Sequence, residues 1–215
     1  APGVCLAQVL GAGASLRLDS GGNPHIACVD ESNTSVWYVS KTGSAWEHDL
    51  IGGCSMPFLT GASIALTGAN QAVLYARMDY PFDPCYGSYF YGAPRLSLCS
   101  GGTCNAPTLV DPFCYPYGCI CIQNFGYYPS IAADGSGGLH AVYTDFGTNR
   151  TLYYTYSSNG GATWIASIVI AEGLSNIQNS NTAIVVDSNG DPHVAYSDDA
   201  GPRYARRQSG AWTTW

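Results

Sequence analysis

The sequence predicts an all-β protein: a four-bladed β-propeller, each blade a four-stranded antiparallel sheet, with the ring closing near the termini. Three observations carry this. One hairpin-forming unit recurs four times along the 215 residues. No segment has the 3.6-residue apolar period of a helix. Equivalent turn positions are spaced so that the interval across the joined termini matches a normal repeat.

Residues 15–30 read SLRLDSGGNPHIACVD, residues 130–145 read SIAADGSGGLHAVYTD, and residues 183–198 read AIVVDSNGDPHVAYSD. In each, an alternating apolar run, a Gly/Asn/Asp-rich turn and a second alternating run describe a β-hairpin. Asp19, Asp134 and Asp187 begin the turns. His25, His140 and His193 follow six residues later, and Asp30, Asp145 and Asp198 five after that. A weaker copy at 63–79, SIALTGANQAVLYARMD, keeps the apolar pattern but has Thr67, Val73 and Met78 at the marked places.

A third run follows each hairpin: SVWYVS at 35–40, RLSLCS at 95–100, TLYYTYS at 151–157 and RYARRQS at 203–209. The fourth strand is expected to open at Trp46, Trp164 and Trp212. Four short antiparallel strands per unit, repeated about an axis, are the blades of a propeller. The expected repeats are 15–53, 63–111, 130–172 and 183–215, within one domain spanning 1–215. Turn positions 19, 67, 134 and 187 lie 48, 67 and 53 residues apart, and the interval across the joined ends is 47. The last blade is expected to end early, at AWTTW. VCLAQVL at 4–10, within the N-terminal segment 1–14, is expected to continue it, in its own ring or in a neighbouring molecule's.

The long second interval holds two insertions rich in tyrosine, proline and cysteine, at 79–94 and 111–128. Tyrosine supplies rigid amphipathic contact area at low entropic cost. Tyr80, Phe82, Tyr86, Tyr89, Phe90 and Tyr91 in the first, and Tyr115, Tyr117, Phe125, Tyr127 and Tyr128 in the second, are therefore candidate interface or sugar-stacking residues; the bland alternative is that they cover a blade edge. Nine cysteines suggest an oxidising, extracellular setting. Cys99 and Cys104 flank a Gly-Gly turn and are expected to face each other as a disulfide. Cys5, Cys54, Cys85, Cys114, Cys119 and Cys121 are further disulfide candidates. Cys28, inside a strand, is expected to be an inert buried thiol.

Charged residues make up 11% of the chain and the net charge is −7, with Lys41 the single lysine. That balance argues against nucleic-acid and anionic-membrane partners, and no apolar run is long enough to insert in a bilayer. The opening APGVC suits a mature extracellular or cell-surface protein after signal-peptide removal. Asn33 and Asn149 sit in glycosylation sequons. The three repeated histidines permit a zinc reading if they converge on the axis; the reading preferred is that each caps its own hairpin by bonding the turn's Asp or backbone. The Asp187–Asp191 turn lacks the downstream Glu of a calcium loop. No metal or cofactor is expected.

Residues 157–164, SSNGGATW, carry a resemblance. Ser157, Asn159, Gly161, Thr163 and Trp164 match the Ser-x-Asp-x-Gly-x-Thr-Trp box with Asn for Asp, and the segments ending in Trp46 and Trp212 look like degraded copies. With the LDSxGxPHIAYxD unit, this resembles secreted bacterial or archaeal propeller repeats of the sialidase, or BNR, group. The resemblance implies the propeller fold. For activity it implies an arginine triad, a Tyr–Glu nucleophile pair, an acidic general acid and, usually, six blades. Here Arg17, Arg77, Arg95, Arg150, Arg203, Arg206 and Arg207 give no three at matching repeat positions, and Glu31, Glu47 and Glu172 fall in turns or on an outer strand. The leading expectation is therefore a non-enzymatic structural or adhesive block that binds copies of itself through the N-terminal strand and the Tyr/Cys-rich loops, a head-to-tail filament being one form of this. A lectin-like propeller binding cell-surface glycans is second, and a sialidase-like hydrolase third.

Overall fold

A computed structural model describes residues 13–30, 35–53, 61–68, 70–79, 82–83, 87–88, 91–110, 125–145, 150–174 and 182–215. These residues form strands and turns without a helix. Blade 1 is the sheet β1 (Ser15–Leu18), β2 (Pro24–Val29), β3 (Ser35–Thr42), β4 (Ala45–Gly53), in that spatial order. Blade 2 is built on β5 (Ala62–Thr67), β6 (Asn70–Asp79) and, after a ribbon of β7 (Phe82–Asp83) and β8 (Gly87–Ser88), β9 (Tyr91–Ser100). Its outer edge is split between β10 (Thr103–Cys104) and β11 (Thr108–Leu109), both paired with β9. Blade 3 runs β12 (Phe125–Ala133), β13 (Leu139–Asp145), β14 (Leu152–Ser157), β15 (Ile168–Ala171), and blade 4 runs β16 (Ala183–Val186), β17 (Pro192–Asp198), β18 (Gly201–Gln208), β19 (Ala211–Thr214). This is the four-bladed propeller expected from the repeats.

Each blade is covered on two faces where it has two neighbours, so its strands lose the apolar/polar alternation of a one-sided sheet. Every residue of β13 is buried. Three apolar clusters fill the gaps. Ile64, Val73 and Tyr75 of blade 2 meet Ala27, Val36 and Tyr38 of blade 1. Ala72, Leu74 and Leu96 of blade 2 meet Ile131 and Leu139 of blade 3. Val142, Leu152 and Tyr154 of blade 3 meet Ile184, Val194 and Tyr196 of blade 4. A serine at an equivalent place in the inner strands of blades 1, 2 and 3 ties each blade to the next. The hydroxyls of Ser15, Ser63 and Ser130 accept the backbone N–H of Ile64, Ile131 and Ile184 in the next blade, at 3.3, 3.2 and 3.2 Å.

Several expectations are corrected. Ser63 pairs with Leu74, where Ser15 pairs with Ala27 and Ser130 with Val142. Blade 2's hairpin is thus one residue shorter, and Ala72 rather than Val73 takes the place of the histidine. Trp164 does not open the outer strand of blade 3; β15 starts at Ile168. The outer strand of blade 4, β19, is four residues long against nine in β4, and Trp215 exchanges two backbone hydrogen bonds with Tyr204. The VCLAQVL segment lies outside the described residues. The first insertion is partly a strand pair, since β6 and β9 extend until Asp79 faces Tyr91, with the β7–β8 ribbon beyond. Cys28 is disulfide-bonded and not a free thiol; its partner lies outside the described residues.

The Cys99–Cys104 disulfide is present, joining directly opposed residues of β9 and β10. Cys104 N–H also donates to Asp49 of blade 1 at 2.7 Å, fastening this hairpin to its neighbour. Cys5, Cys54, Cys85, Cys114, Cys119 and Cys121 lie outside the described residues, as do Tyr80, Tyr86, Tyr89, Phe90, Tyr115, Tyr117 and the sequons at Asn33 and Asn149.

Candidate functional site

The four inner strands surround one axis. At the starts of these strands they enclose an open cavity of about 320 Å³, lined by Ser15, Arg17, Ser63, Tyr128, Ser130 and Thr182 among others. A second axial cavity of about 310 Å³ lies at the other ends of the strands, lined by apolar residues such as Leu18, Leu66 and Val186, and shares Arg17 with the first. The axis therefore has a polar mouth and an apolar far half with one arginine between them. Arg17 is the only charged side chain among the described residues lining either cavity. Its Nη1 donates to the Leu16 carbonyl at 2.9 Å, which leaves most of the guanidinium's donors uncommitted.

Tyr128 marks the mouth. Its φ is +49°, a left-handed conformation that a bulky residue rarely adopts and that clusters at functional sites. It lies within a register irregularity of the β12–β13 pairing, between Tyr127 and Ser130, and its carbonyl accepts the Thr182 hydroxyl at 2.5 Å. Burial raises the Tyr128 pKa, so its phenol stays protonated as a donor. Of the aromatic residues expected to form a contact surface, Phe125, Tyr127 and Tyr128 instead belong to the inner strand of blade 3. Tyr127 is 8% exposed, too buried to present a surface, and burial pushes its pKa up to about 12.

The repeated Asp and His residues meet within each blade and do not converge on the axis. His25 Nε2 lies 3.4 Å from Asp19, and His140 and His193 lie 3.3 Å from Asp134 and Asp187. The other ring nitrogen contacts a tyrosine hydroxyl: Tyr38 at 2.7 Å, Tyr154 at 2.9 Å and Tyr204 at 2.5 Å. Each first Asp also closes its turn. Asp19 accepts Gly21 and Asn23 N–H, Asp134 accepts Ser136 and Gly138, and Asp187 accepts Asn189 and Asp191. The second Asp caps the next connection: Asp30 accepts Ser35 N–H, Asp145 accepts Thr151 N–H, and Asp198 binds Ala200 N–H and Arg203 Nε.

The electrostatics follow. Asn23's side chain and backbone, with smaller help from His25 and Gly21, hold Asp19 at about 2. Burial pushes Asp134 up, but hydrogen bonds from Ser136, Gly138 and His140 outweigh it and leave it at about 2. Asp187 lies below its usual range, chiefly through the Asp191 N–H. Burial lowers His140, outweighing its bond to Asp134. His140 is therefore a neutral imidazole that donates from Nε2 to the carboxylate and accepts the Tyr154 O–H at Nδ1. Burial raises Tyr154 to about 12, which keeps that phenol a donor. Each triad is a relay of satisfied hydrogen bonds that locks a hairpin to its third strand. Among the described residues no group of three or more His, Cys, Asp or Glu side chains is placed to hold a metal ion.

The 157–164 box is equally self-contained. Ser157 Oγ accepts Gly161 N–H at 2.8 Å and donates to Asn159 Oδ1 at 2.9 Å, which also accepts Thr163 N–H. The amide nitrogen of Asn159 donates to Thr163 Oγ1 at 2.9 Å, a bond the usual Asp would not make. Trp164 packs on the blade 2–blade 3 cluster. In blade 1, Trp46 lies under the Lys41 ammonium, 5.7 Å from its ring centroid. In blade 4, Trp212 meets Tyr154 edge-on at 5.1 Å. The Glu47 carboxylate lies against Gly102 in the outer turn of blade 2, and Glu172 is exposed beyond β15, so neither reaches the axis.

Sequence reasoning missed the triad tyrosines, although a tyrosine recurs in the third strand of blades 1, 3 and 4. They follow their histidines by 13, 14 and 11 residues, and this variable spacing hid the pattern. It also missed Arg17 and the serines at the axial mouth, although three copies open on Ser followed by Leu or Ile.

No protein-family model matches the chain, and no curated protein matches it in sequence. Solved structures share its fold. The intramolecular trans-sialidase from Ruminococcus gnavus in complex with oseltamivir carboxylate superposes over 98% of this chain and 71% of its own, with a TM-score of 0.68 at 10% identity. A Hadza microbial sialidase covers 95% of this chain and 45% of its own, at a TM-score of 0.64 and 13% identity. The Trypanosoma rangeli sialidase in complex with 2,3-difluorosialic acid covers 94% and 36%, at 0.62 and 12%. The chain thus spans less than half the length of these last two proteins. At such identities the likeness is one of fold: a sialidase-like β-propeller.

Proposed function

We propose that the protein is a carbohydrate-binding propeller that holds a carboxylate-bearing sugar at the polar mouth of its axis and does not cleave it. One observation carries this: a sugar-sized axial cavity in which the described lining has a single cation, Arg17, and no carboxylate. A guanidinium with free donors suits a sugar carboxylate. Ser15, Ser63 and Ser130 each accept one backbone N–H and retain a hydroxyl proton for ligand oxygens. A sialidase-type hydrolase would need an arginine triad, a Tyr–Glu nucleophile pair and an acidic general acid, and the described residues lining the mouth include one arginine and no carboxylate. Sialic-acid analogues in two structures of the same fold support the choice of an acidic sugar.

Isothermal titration of the purified protein with α-methyl sialoside tests this. Saturable binding is expected, weakened at least about tenfold in Arg17→Ala because a charge-assisted bidentate pair is lost, with no release of methylumbelliferone from the fluorogenic sialoside. Unchanged binding in Arg17→Ala, or turnover of the fluorogenic substrate, would overturn it.

Self-association is a second reading, favoured by exposed apolar side chains in the first and last blades: Leu16 is 51% and Trp215 59% exposed. Sedimentation velocity should then show concentration-dependent growth. A single monomer boundary at the highest soluble concentration would dismiss it.

A further inference from the structure

We propose a second binding site, separate from the axis, for one neutral pyranose ring between blades 3 and 4. A cavity of about 180 Å³ lies there, with room for a single monosaccharide, and its lining includes Asp134, His140, Tyr154, Tyr156, Asp191 and Arg207.

The argument rests on what the fold does not need. Blade 1 forms the same Asp–His–Tyr lock with Ser40 at the place of Tyr156, because Ser40 pairs with His25 as Tyr156 pairs with His140. At the place of Arg207, one residue further along the third strand, blade 2 has Cys99, packed into the blade 1–blade 2 cluster, and blade 3 has Ser157, used in its own turn. In blade 2, Thr67, Ala72 and Leu96 stand at the places of the lock's Asp, His and Tyr, and the last two pack in the blade 2–blade 3 cluster. Tyr156 and Arg207 are therefore additions at one gap out of three, and they line its cavity.

Their polar groups are poised for a guest. Arg207 lies over the Tyr154 ring, 5.4 Å from its centroid, and its buried Nε has no hydrogen-bond partner. Arg207 also hydrogen-bonds Tyr154, but a guanidinium has five N–H donors and this residue lines the cavity, so a ligand oxygen there can accept from it. Tyr156 reaches Asp134 only at 3.4 Å, a weak bond that leaves its hydroxyl available to a better partner. Asp191 commits one carboxylate oxygen to Arg206 at 2.9 Å and keeps the other as an acceptor. Sugar hydroxyls both accept and donate, so one ring can accept from Arg207 and donate to Asp191. Two carboxylates in the lining, Asp134 and Asp191, oppose an anionic guest. That sets this site apart from the axis, whose described lining holds an arginine and no carboxylate. The tyrosine rings offer the apolar face on which a pyranose lies.

The test is a titration of ¹⁵N-labelled protein with the methyl glycosides of glucose, galactose and mannose, followed by NMR. The expected result is a saturable shift of the Arg207 Nε–H and the Trp212 indole N–H, which sits beside Tyr154, with at least one glycoside. Affinity should fall about tenfold or more in Arg207→Gln and several-fold in Tyr156→Phe, which keeps the ring and its packing. Arg17→Ala should leave this binding intact, so failure of the axial reading and failure of this one are distinguishable. No saturable shift at these two groups up to tens of millimolar of each glycoside would overturn the proposal. So would loss of the shift in Arg17→Ala, or α-methyl sialoside binding here in preference to the neutral sugars.

Discussion

Tyr154→Ala is expected to lower stability by about 3–5 kcal/mol, the range for removing a fully buried aromatic ring. For a chain of this length that is a melting shift on the order of 10 °C. Tyr154 is completely buried in the blade 3–blade 4 cluster, meets Trp212 edge-on and lies under the Arg207 guanidinium, so no neighbour can fill its place without moving another. Tyr154→Phe separates packing from the hydrogen bond. It keeps the ring but strands the Nδ1 of a buried, neutral His140, at a cost of about 1–3 kcal/mol. Tyr204 supplies an internal control: its hydroxyl bonds His193 in the same way, yet the residue is 39% exposed. Tyr204→Phe should cost under about 1 kcal/mol, since water can replace the lost donor. Differential scanning calorimetry of the three variants checks this. Equal losses in Tyr154→Phe and Tyr204→Phe would show that burial does not set the strength of the lock.

Gly161→Ala in the 157–164 box is expected to cost about 3 kcal/mol. Its φ of +96° is strained for any residue with a Cβ. The added methyl would also stand 2.3 Å from Leu96 Cδ2, a side chain enclosed in the blade 2–blade 3 cluster and unable to step aside. The adjacent Gly160 has φ of +66° and nothing within 4 Å of the place a Cβ would take. Gly160→Ala should therefore cost only about 1 kcal/mol, the left-handed penalty alone. Urea unfolding of the pair measures the difference. If both cost the same, the box is held by backbone conformation alone and its contact with blade 2 contributes nothing.

That contact redefines the box. SSNGGATW reads in the sequence as a relative of a sialidase signature. In the structure its polar atoms satisfy one another, and its glycine and tryptophan face the neighbouring blade, so it is a piece of blade packing. The same holds for the histidines: a ring of three invites a metal, but each is spoken for by an aspartate and a tyrosine of its own blade.

What the sequence by itself determined was local. The four hairpins, their turns and the Asp–His partnership were legible because partners six residues apart across a tight turn meet in any fold that forms the hairpin. The Cys99–Cys104 disulfide was legible for the same reason. Tertiary structure alone decided the rest. It set the one-residue shortening of blade 2, which moved Ala72 into the histidine's place, and the disulfide at Cys28. It set the tyrosines that complete the locks, the axial cavity around Arg17 and the polar gap at Arg207. The physical reason is that side-chain direction in a sheet reverses with each single-residue change of register. Inner strands some 50 residues apart in the chain line the axis together, so what faces the axis or the next blade depends on how whole sheets stack, which no local pattern records.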